Sequence, residues 1–196
     1  MNTLPLCLSL LATVAVALPA QTQTLRGGVE DVQGTQNQFF LDCTNLPMFS
    51  NTINLNQWTN TEAIMQVVNV GTAQNPMLRV DQIAAANKIM DMGNLRFGQS
   101  NTWEVNAPAG SFCMVFIDFL WNTGYTPYGS VGTYLLGPTP VSFRSGFASG
   151  QNQFRFNFTM PTLPQHLGVT VSSQALVIDP SGTAEFSNAD CKDVQN

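Results

Sequence analysis

Charged side chains are scarce in this chain. Asp, Glu, Lys and Arg make up 10% of its 196 residues, against roughly 25% in an average soluble domain. Only 7 residues are Lys or Arg, and the formal net charge is −5. Phosphate binding and attraction to an anionic membrane surface both need clustered basic side chains. The composition therefore argues against nucleic acid as a partner and against electrostatic binding to a membrane.

Histidine, the commonest general base near neutral pH, occurs once, at His166. It precedes a predicted strand, and a loop histidine with a local hydrogen bond is the simpler interpretation. No serine lies in a G-x-S-x-G sequence, so the nucleophile elbow of α/β-hydrolases is absent. One histidine and distant cysteines do not give zinc spacing, and no D-x-D-x-D-G calcium loop occurs. The sequence predicts no metal and no cofactor.

Cysteine is also rare, with 4 in the chain. Cys7 lies in the N-terminal apolar stretch, and Cys113 lies in an apolar run where a buried thiol is expected. Cys43 and Cys191 both fall at polar strand ends. A disulfide between them would tie the start of the domain to its end, and an oxidising compartment would favour it. The alternative is two unpaired thiols.

The longest apolar run is N-terminal, "LPLCLSLLATVAVALPA". It has about the length of a signal-peptide core and ends in small residues, although no Lys or Arg precedes it. It is shorter than the roughly 20 apolar residues of a transmembrane helix. We therefore predict a signal peptide over residues 1–20, cleaved after Ala17 or Ala20. The product would be secreted, extracellular or held at the cell surface, with no membrane insertion once the signal is removed.

The remaining chain is predicted to be all-β. Residues 21–36 show no periodic apolar pattern and are predicted to be a flexible leader. Residues 37–196 are predicted to form one antiparallel β-sandwich domain, with a sub-boundary near residue 93, because short alternating segments are separated by Gly and Pro. One short helix near residues 81–92 is compatible with this pattern, since Asp81 would cap it.

Two stretches carry a resemblance. In "LRFGQSNTWEVNAPAGSFCMVFID" (95–118), a Gly turn and an alternating strand lead through "APAGS" into an apolar strand. In "MPTLPQHLGVTVSSQALVIDPSGTAEFSNA" (160–189), the matching elements are Pro161–Pro164, Leu167-Gly168, Gln174-Ala175, Val177, Asp179-Pro180 and Ser187-Asn188-Ala189. Together, about residues 95–191 resemble an uncharacterised β-sandwich module found at the C-termini of predicted secreted bacterial proteins. The resemblance implies a fold and a secreted location, and it implies no activity.

The segment "WNTGYTPYGSVGTY" (121–134) is the strongest candidate for binding. Aromatic rings stack on sugar rings, and glycines allow a loop to approach a ligand closely. The candidate binding residues are Trp121, Asn122, Tyr125, Tyr128 and Tyr134. The alternative is that these rings seal one end of a sandwich core, and this structural role is the favoured interpretation.

Asp118 is the most notable acid, because it interrupts an apolar strand. A buried carboxylate needs hydrogen-bond partners or a raised pKa. With a second carboxylate it would suit glycoside hydrolysis, but no second acid is placed beside it by the sequence. The simpler interpretation is an inward-pointing Asp bonded to loop amides.

Asn157-Phe158-Thr159 matches the N-glycosylation sequence N-x-S/T, and Asn157 falls on the predicted solvated face of its strand. Asn157 is therefore a candidate glycosylation site.

These observations predict a secreted, non-catalytic β-sandwich protein with a binding or structural role at the cell exterior. The predicted partners are polysaccharide or other copies of the same chain. The alternative is a small secreted hydrolase acting on glycan through Asp118 and a second carboxylate.

Overall fold

A computed structural model describes residues 21–32 and 38–196. The predicted signal peptide and residues 33–37 lie outside the described residues. The described chain is built from strands and short 3-10 turns, which confirms the all-β, sandwich-like prediction. It contains no helix long and apolar enough to cross a membrane.

The first part of the chain forms a small closed barrel. Its strands are β1 (Thr22–Asp31), β2 (Phe39–Leu41), β3 (Pro47–Phe49), β4 (Glu62–Asn69) and β5 (Leu78–Ala85). They close in the order β1-β2-β3-β5-β4, and β3 and β5 are the parallel pair. The interior is filled by side chains that are at most 1% exposed, among them Leu25, Leu41, Met65, Val67, Leu78 and Val80.

The prediction of a flexible leader is wrong for residues 22–31, which form β1. This strand pairs with β4 from Thr22 to Gly28 and with β2 from Val29 to Asp31. The apolar–polar alternation of β1 is hidden in the sequence because Gly27, which has no side chain, occupies a core-facing position where a large apolar residue is usual. A Cβ at Gly27 would lie 2.8 Å from a methyl carbon of Leu41, so the missing side chain leaves room for the barrel core.

The helix proposed near residues 81–92 does not form. Residues 78–85 are β5, and they pair with β4 through a register shift between Gln66 and Val67. Asp81 caps no helix there, because its carboxylate accepts hydrogen bonds from the guanidinium of Arg79 at 2.7 and 2.9 Å. Buried Leu78 and Val80 alternate with less buried neighbours at the start of the strand, which is the period of a strand.

The second part of the chain is a two-layer sandwich. Its strands are β6 (Met90–Asp91), β7 (Ser100–Asn106), β8 (Phe112–Phe119), β9 (Thr126–Pro127), β10 (Thr133–Tyr134), β11 (Ser142–Phe147), β12 (Gln153–Thr159), β13 (Thr170–Ile178) and β14 (Ala184–Asp193). One sheet has the order β11-β8-β13-β14, and the other has the order β12-β7-β6. Strands β9 and β10 form a small ribbon within the connection from β8 to β11.

Among the residues that the structure describes, the hydrophobic interior forms two clusters. One fills the barrel, and the other begins at Ile89 and lies between the two sandwich sheets around Trp103, which is fully buried. In the first half of the chain the barrel cluster extends to Ile83 and the sandwich cluster begins at Ile89, and the sub-boundary near residue 93 stays a prediction. The division is not complete along the chain, because Leu135 and Ala189 pack into the barrel cluster.

A disulfide joins these two parts of the molecule. Cys43 follows β2 of the barrel and is bonded to Cys191 of β14, with 5.4 Å between the two Cα atoms. That separation lies in the range usual for disulfides. Cys113 is a buried free thiol in the sandwich core, and its burial raises its pKa to about 11. It is therefore protonated at neutral pH.

Positions that carry the sequence resemblance form a buried hydrogen-bond network. The Gln174 side chain accepts a bond from the N–H of Leu135 at 2.8 Å and donates to the carbonyls of Thr133 and Ser187, both at 2.9 Å. The Ser187 hydroxyl accepts from the N–H of Ala175, at the irregularity between β13 and β14. Buried polar groups need such partners, which gives these residues a structural role.

Candidate binding surface

The connection from β8 to β11, residues 120–141, folds back over the outer face of the four-stranded sheet. Tyr134 packs edge-on against Phe116 of β8, with 5.4 Å between ring centroids at 77°. Tyr134 and Tyr128 both contact Phe186 of β14, each at 5.6 Å. These contacts cover part of the sheet, so the segment 121–134 acts largely as a structural connection.

Tyr125 ties the same connection to the barrel. Its ring packs against the barrel cluster, and its hydroxyl contacts the side-chain oxygen of Gln23 in β1. Burial raises the pKa of Tyr125 to about 12. The pKa of Tyr134 is also about 12, first because of burial and then because of the nearby Asp118. Both hydroxyl groups are therefore neutral at physiological pH. Neither ring is an open stacking surface, because Tyr125 packs on the barrel cluster and Tyr134 packs on Phe116 and Phe186.

Trp121 is the most exposed of the predicted aromatic residues, with 67% of its surface open. It stacks almost parallel on Phe119, at 4.5 Å and 8°, whereas the tyrosines contact Phe116, Phe186 or Gln23. Asn122 belongs to the 3-10 turn Leu120–Asn122, and its side chain is not among the described parts of the structure. The predicted residues therefore divide between separate packing partners and do not form one platform.

The most exposed aromatic surface lies elsewhere, on the outer face of the same sheet. Phe143 and Phe147 of β11 are 62% and 70% exposed. The register places Phe147 beside Phe112 and Phe143 beside Phe116 of β8, and Ile178 of β13 beside Phe112. Residues directly opposite on neighbouring antiparallel strands share a face. We call this surface the aromatic face, and it consists of Phe112, Met114, Phe143, Phe147, Leu176 and Ile178.

The aromatic face is built on a well-packed strand. Phe112 and Phe147 are in ring contact at 5.4 Å, which orients the more exposed of the two phenylalanines. On the other side of β11, a Cβ at Gly146 would lie 2.4 Å from the ring of Phe154 in β12. Glycine is therefore required for β11 to lie against β12. The strand is held on one face while Phe143 and Phe147 project from the other.

Asp118 lies on β8 and is 1% exposed. Its carboxylate accepts the backbone N–H of the next residue, Phe119, at 2.8 Å. Its neighbour across the sheet is Ser172 of β13. A polysaccharide in solution would not reach this buried carboxylate without a change in the structure, so the geometry does not favour the alternative of a hydrolase built on Asp118.

An amide-rich groove lies between the barrel and the sandwich, and three of its side-chain amides, those of Asn106, Asn152 and Gln153, are already bonded to the protein. Asn106 donates to the carbonyl of Lys88 at 3.2 Å and accepts from Gln153 at 3.1 Å. The side chain of Asn152 accepts from the N–H of Ala109 at 2.9 Å. We therefore place the candidate surface on the aromatic face.

Asn157 of β12 is exposed, and its side-chain oxygen accepts a hydrogen bond from the hydroxyl of Thr102 at 3.1 Å. The neighbouring Phe158 packs inward on Trp103. Strand β12 is an edge of its sheet, so an attached glycan would point into solvent without displacing the core.

We expect Asn157 to be glycosylated when the chain is expressed in a host that N-glycosylates exported proteins. The measured result would be a mass increase that an N-glycosidase removes. Asn157→Gln should lack the increase, while Asn101→Gln, on the neighbouring strand, should keep it. A glycan that survives in Asn157→Gln would contradict the assignment.

Glu62, the first residue of β4, carries a carboxylate oxygen that is buried and has no hydrogen-bond partner among the described residues. Desolvation raises the pKa of Glu62 to about 7. Lys88 and Arg26 oppose this shift, whereas the nearby carboxylates of Asp42 and Asp190 add to it. The charged form of Glu62 is therefore disfavoured in the folded protein.

Replacing Glu62 by Gln is expected to make stability less dependent on pH. Because the folded pKa lies above the unfolded value, wild-type stability falls as pH rises from about 4.5 to about 7 and then levels off. With allowance for partial exposure, the free energy of unfolding of Glu62→Gln should exceed that of wild type by about 1–2 kcal/mol at pH 8. At pH 4 the two free energies of unfolding should be nearly equal. Denaturant titrations at both pH values, with the exposed Glu30→Gln as control, test this. An equal effect at the two pH values would contradict the stated cause.

A scan against family models found no match to this chain, and searches of curated proteins and of solved structures found none either. The resemblance of residues 95–191 to the secreted β-sandwich module therefore stays a prediction.

Proposed function

We propose that this chain is a secreted, non-catalytic β-sandwich protein that binds or assembles at the cell exterior through its aromatic face. The observation that carries the proposal is the exposure of Phe143 and Phe147, at 62% and 70%, on one face of an edge strand. Contiguous exposed apolar patches on monomeric proteins usually mark interaction sites. Aromatic side chains dominate the energetics of such surfaces.

Two further features support a location outside the cell. The disulfide between Cys43 and Cys191 is the kind of bond that persists in oxidising compartments. Charged side chains are few, at 10% of the residues. Amide side chains are numerous instead, with 18 Asn and 15 Gln in the sequence. Both agree with the predicted signal peptide over residues 1–20.

Polysaccharide is a second candidate partner because of Trp121. This ring is 67% exposed and is held flat on Phe119, and a fixed aromatic ring offers a large contact area at low cost in conformational entropy. The two versions of the proposal use different residues. Variants at Trp121 and on the aromatic face therefore distinguish them.

The proposal is tested by measuring how much protein is retained on a phenyl-substituted resin and on insoluble cellulose and chitin. We expect Phe143→Ser/Phe147→Ser to lose most of the retention on the phenyl resin, with its fold intact by circular dichroism. Trp121→Ala should keep its retention on the phenyl resin. If Trp121→Ala loses retention only on cellulose or chitin, that result would favour polysaccharide as the partner. The proposal would be contradicted if the wild-type protein is not retained on the phenyl resin, cellulose or chitin and also remains monomeric at high concentration.

A further inference from the structure

We propose that two copies of this chain pair through the open edges of their β11 strands, antiparallel and with Ser145 opposite Ser145 on a two-fold axis. The inference deepens the proposed function and rests on it, because it names a second copy as the partner of the aromatic face. Within the described residues, β11 pairs with β8 alone and ends its sheet. An edge strand presents unpaired backbone groups that a second strand can bind.

A hydrogen bond at the end of β11 shows which of its residues direct their backbone groups towards β8. The N–H of Ala148, the residue after β11, donates to the carbonyl of Ser111 beside β8 at 2.8 Å. Successive residues of an antiparallel strand direct their backbone groups to opposite edges. The N–H and C=O groups of Phe143, Ser145 and Phe147 therefore face the open edge.

This set of residues is symmetric about its centre, so the edge is complementary to itself. In an antiparallel pair centred on Ser145, Phe143 lies opposite Phe147 of the second copy, and Phe147 lies opposite its Phe143. All three facing pairs then have their backbone groups directed at each other, which is the arrangement of a hydrogen-bonded pair. If the pairing register were shifted by one residue, each of these residues would lie opposite a residue whose N–H and C=O groups point towards β8 of its own copy.

The side chains agree with this register. The two Phe143–Phe147 pairs put aromatic rings directly across from one another on one face, which is a favourable cross-strand pair. On the opposite face, Arg144 lies across from Gly146 of the second copy. Arg144 is the one charged side chain on β11, so no like charges face each other even though the whole chain carries −5.

Two observations indicate that the pairing is weak and depends on concentration. The guanidinium of Arg144 donates to the carbonyl of Phe143 at 2.8 Å, and a second strand must displace this bond. A buried aromatic side chain covers roughly 150–250 Å². The four partly exposed rings would therefore remove on the order of 500 Å² from water, less than the ~1,200 Å² of a stable complex.

The register is tested by cross-linking the full chain through a single introduced cysteine. Opposed residues of a hydrogen-bonded pair have Cα atoms about 5.5 Å apart, which is within disulfide range. Ser145→Cys should form a covalent dimer under mild oxidation at high protein concentration, visible on a non-reducing gel. Arg144→Cys, which faces Gly146 and lies on the other face, should cross-link at least fivefold less. No dimer with Ser145→Cys, or equal dimer with both variants, would overturn the proposal.

A second pair of variants tests the backbone hydrogen bonds. Proline at Ser145 removes an N–H that faces solvent in the monomer, so an edge strand tolerates it. Sedimentation of Ser145→Pro should show a monomer at concentrations where Ser145→Ala still associates. Association that survives in Ser145→Pro would overturn the proposal. If Ser145→Pro fails to fold, the cross-linking result decides.

The outcomes separate this inference from the proposed function. If Ser145→Cys does not cross-link and wild type is monomeric, but Phe143→Ser/Phe147→Ser still loses retention on the phenyl resin, then the aromatic face binds another partner and the pairing is wrong. If retention is also unaffected by the phenylalanine substitutions, the proposed function fails as well.

Discussion

Replacing both Cys43 and Cys191 by alanine is expected to lower the free energy of unfolding by about 3–5 kcal/mol. The bond joins residues separated by 148 positions, and it therefore restricts the unfolded chain strongly. It also connects the end of β2 in the barrel to β14, which links the two hydrophobic clusters, because its Ala189 packs into the barrel cluster while its partner strand β13 contributes Val171 and Ala175 to the sandwich cluster. Removing it should reduce the coupling between those clusters.

Urea titration followed by tryptophan fluorescence measures this effect. Trp58 packs at the barrel cluster and Trp103 lies in the sandwich cluster, so single-tryptophan versions report on each separately. We expect one coincident transition in wild type and two separate transitions in the double alanine variant. Reduction of the wild type should reproduce the alanine variant. A loss below 1 kcal/mol with coincident transitions would show that the disulfide contributes little.

Much of the sandwich could be predicted because its strands alternate strongly. In "NQFRFNFTM", Phe154, Phe156 and Phe158 all pack towards the core, as the period of two requires. The barrel was harder to predict, because Gly27 breaks the alternation of β1 and because β2 and β3 are only 3 residues long. Sequence periodicity does not show that such short strands close a barrel through long-range pairing.

The sequence points to the segment 121–134 rather than to the aromatic face for a related reason. The segment 121–134 has the higher density of aromatic residues, but its tyrosines pack on Phe186, Phe116 and the barrel. Phe143 and Phe147 carry a weaker signal, two aromatic residues four positions apart in a short strand. Their exposure depends on how far the connection from β8 to β11 extends over the sheet, which is a property of tertiary packing.

Substitution of Asn188 by alanine is expected to lower the free energy of unfolding by about 3–4 kcal/mol, although the residue makes no contact with any proposed ligand surface. Asn188 is fully buried on β14. Its side-chain oxygen accepts the N–H groups of Ile89 and Met90 at 2.9 and 3.0 Å, and its amide donates to the carbonyl of Met90 at 3.0 Å. The side chain thus takes the place of a neighbouring strand at the edge of β6.

Alanine would leave those backbone groups buried without partners, and an unsatisfied buried group costs more than the bond itself contributes. Asn188→Asp keeps the accepting oxygen but loses the donor and buries a carboxylate that faces the Met90 carbonyl, so we expect a loss at neutral pH at least as large as that of Asn188→Ala. Asn157→Ala, on an exposed strand face, should change stability by less than about 0.5 kcal/mol. Amide hydrogen exchange provides a local measurement, in which Ile89 and Met90 should exchange faster in Asn188→Ala while residues in β4 change little. Unchanged exchange at both amides would mean that β6 is held mainly by its pairing with β7 and by the adjacent bond from Met92 to Asp190.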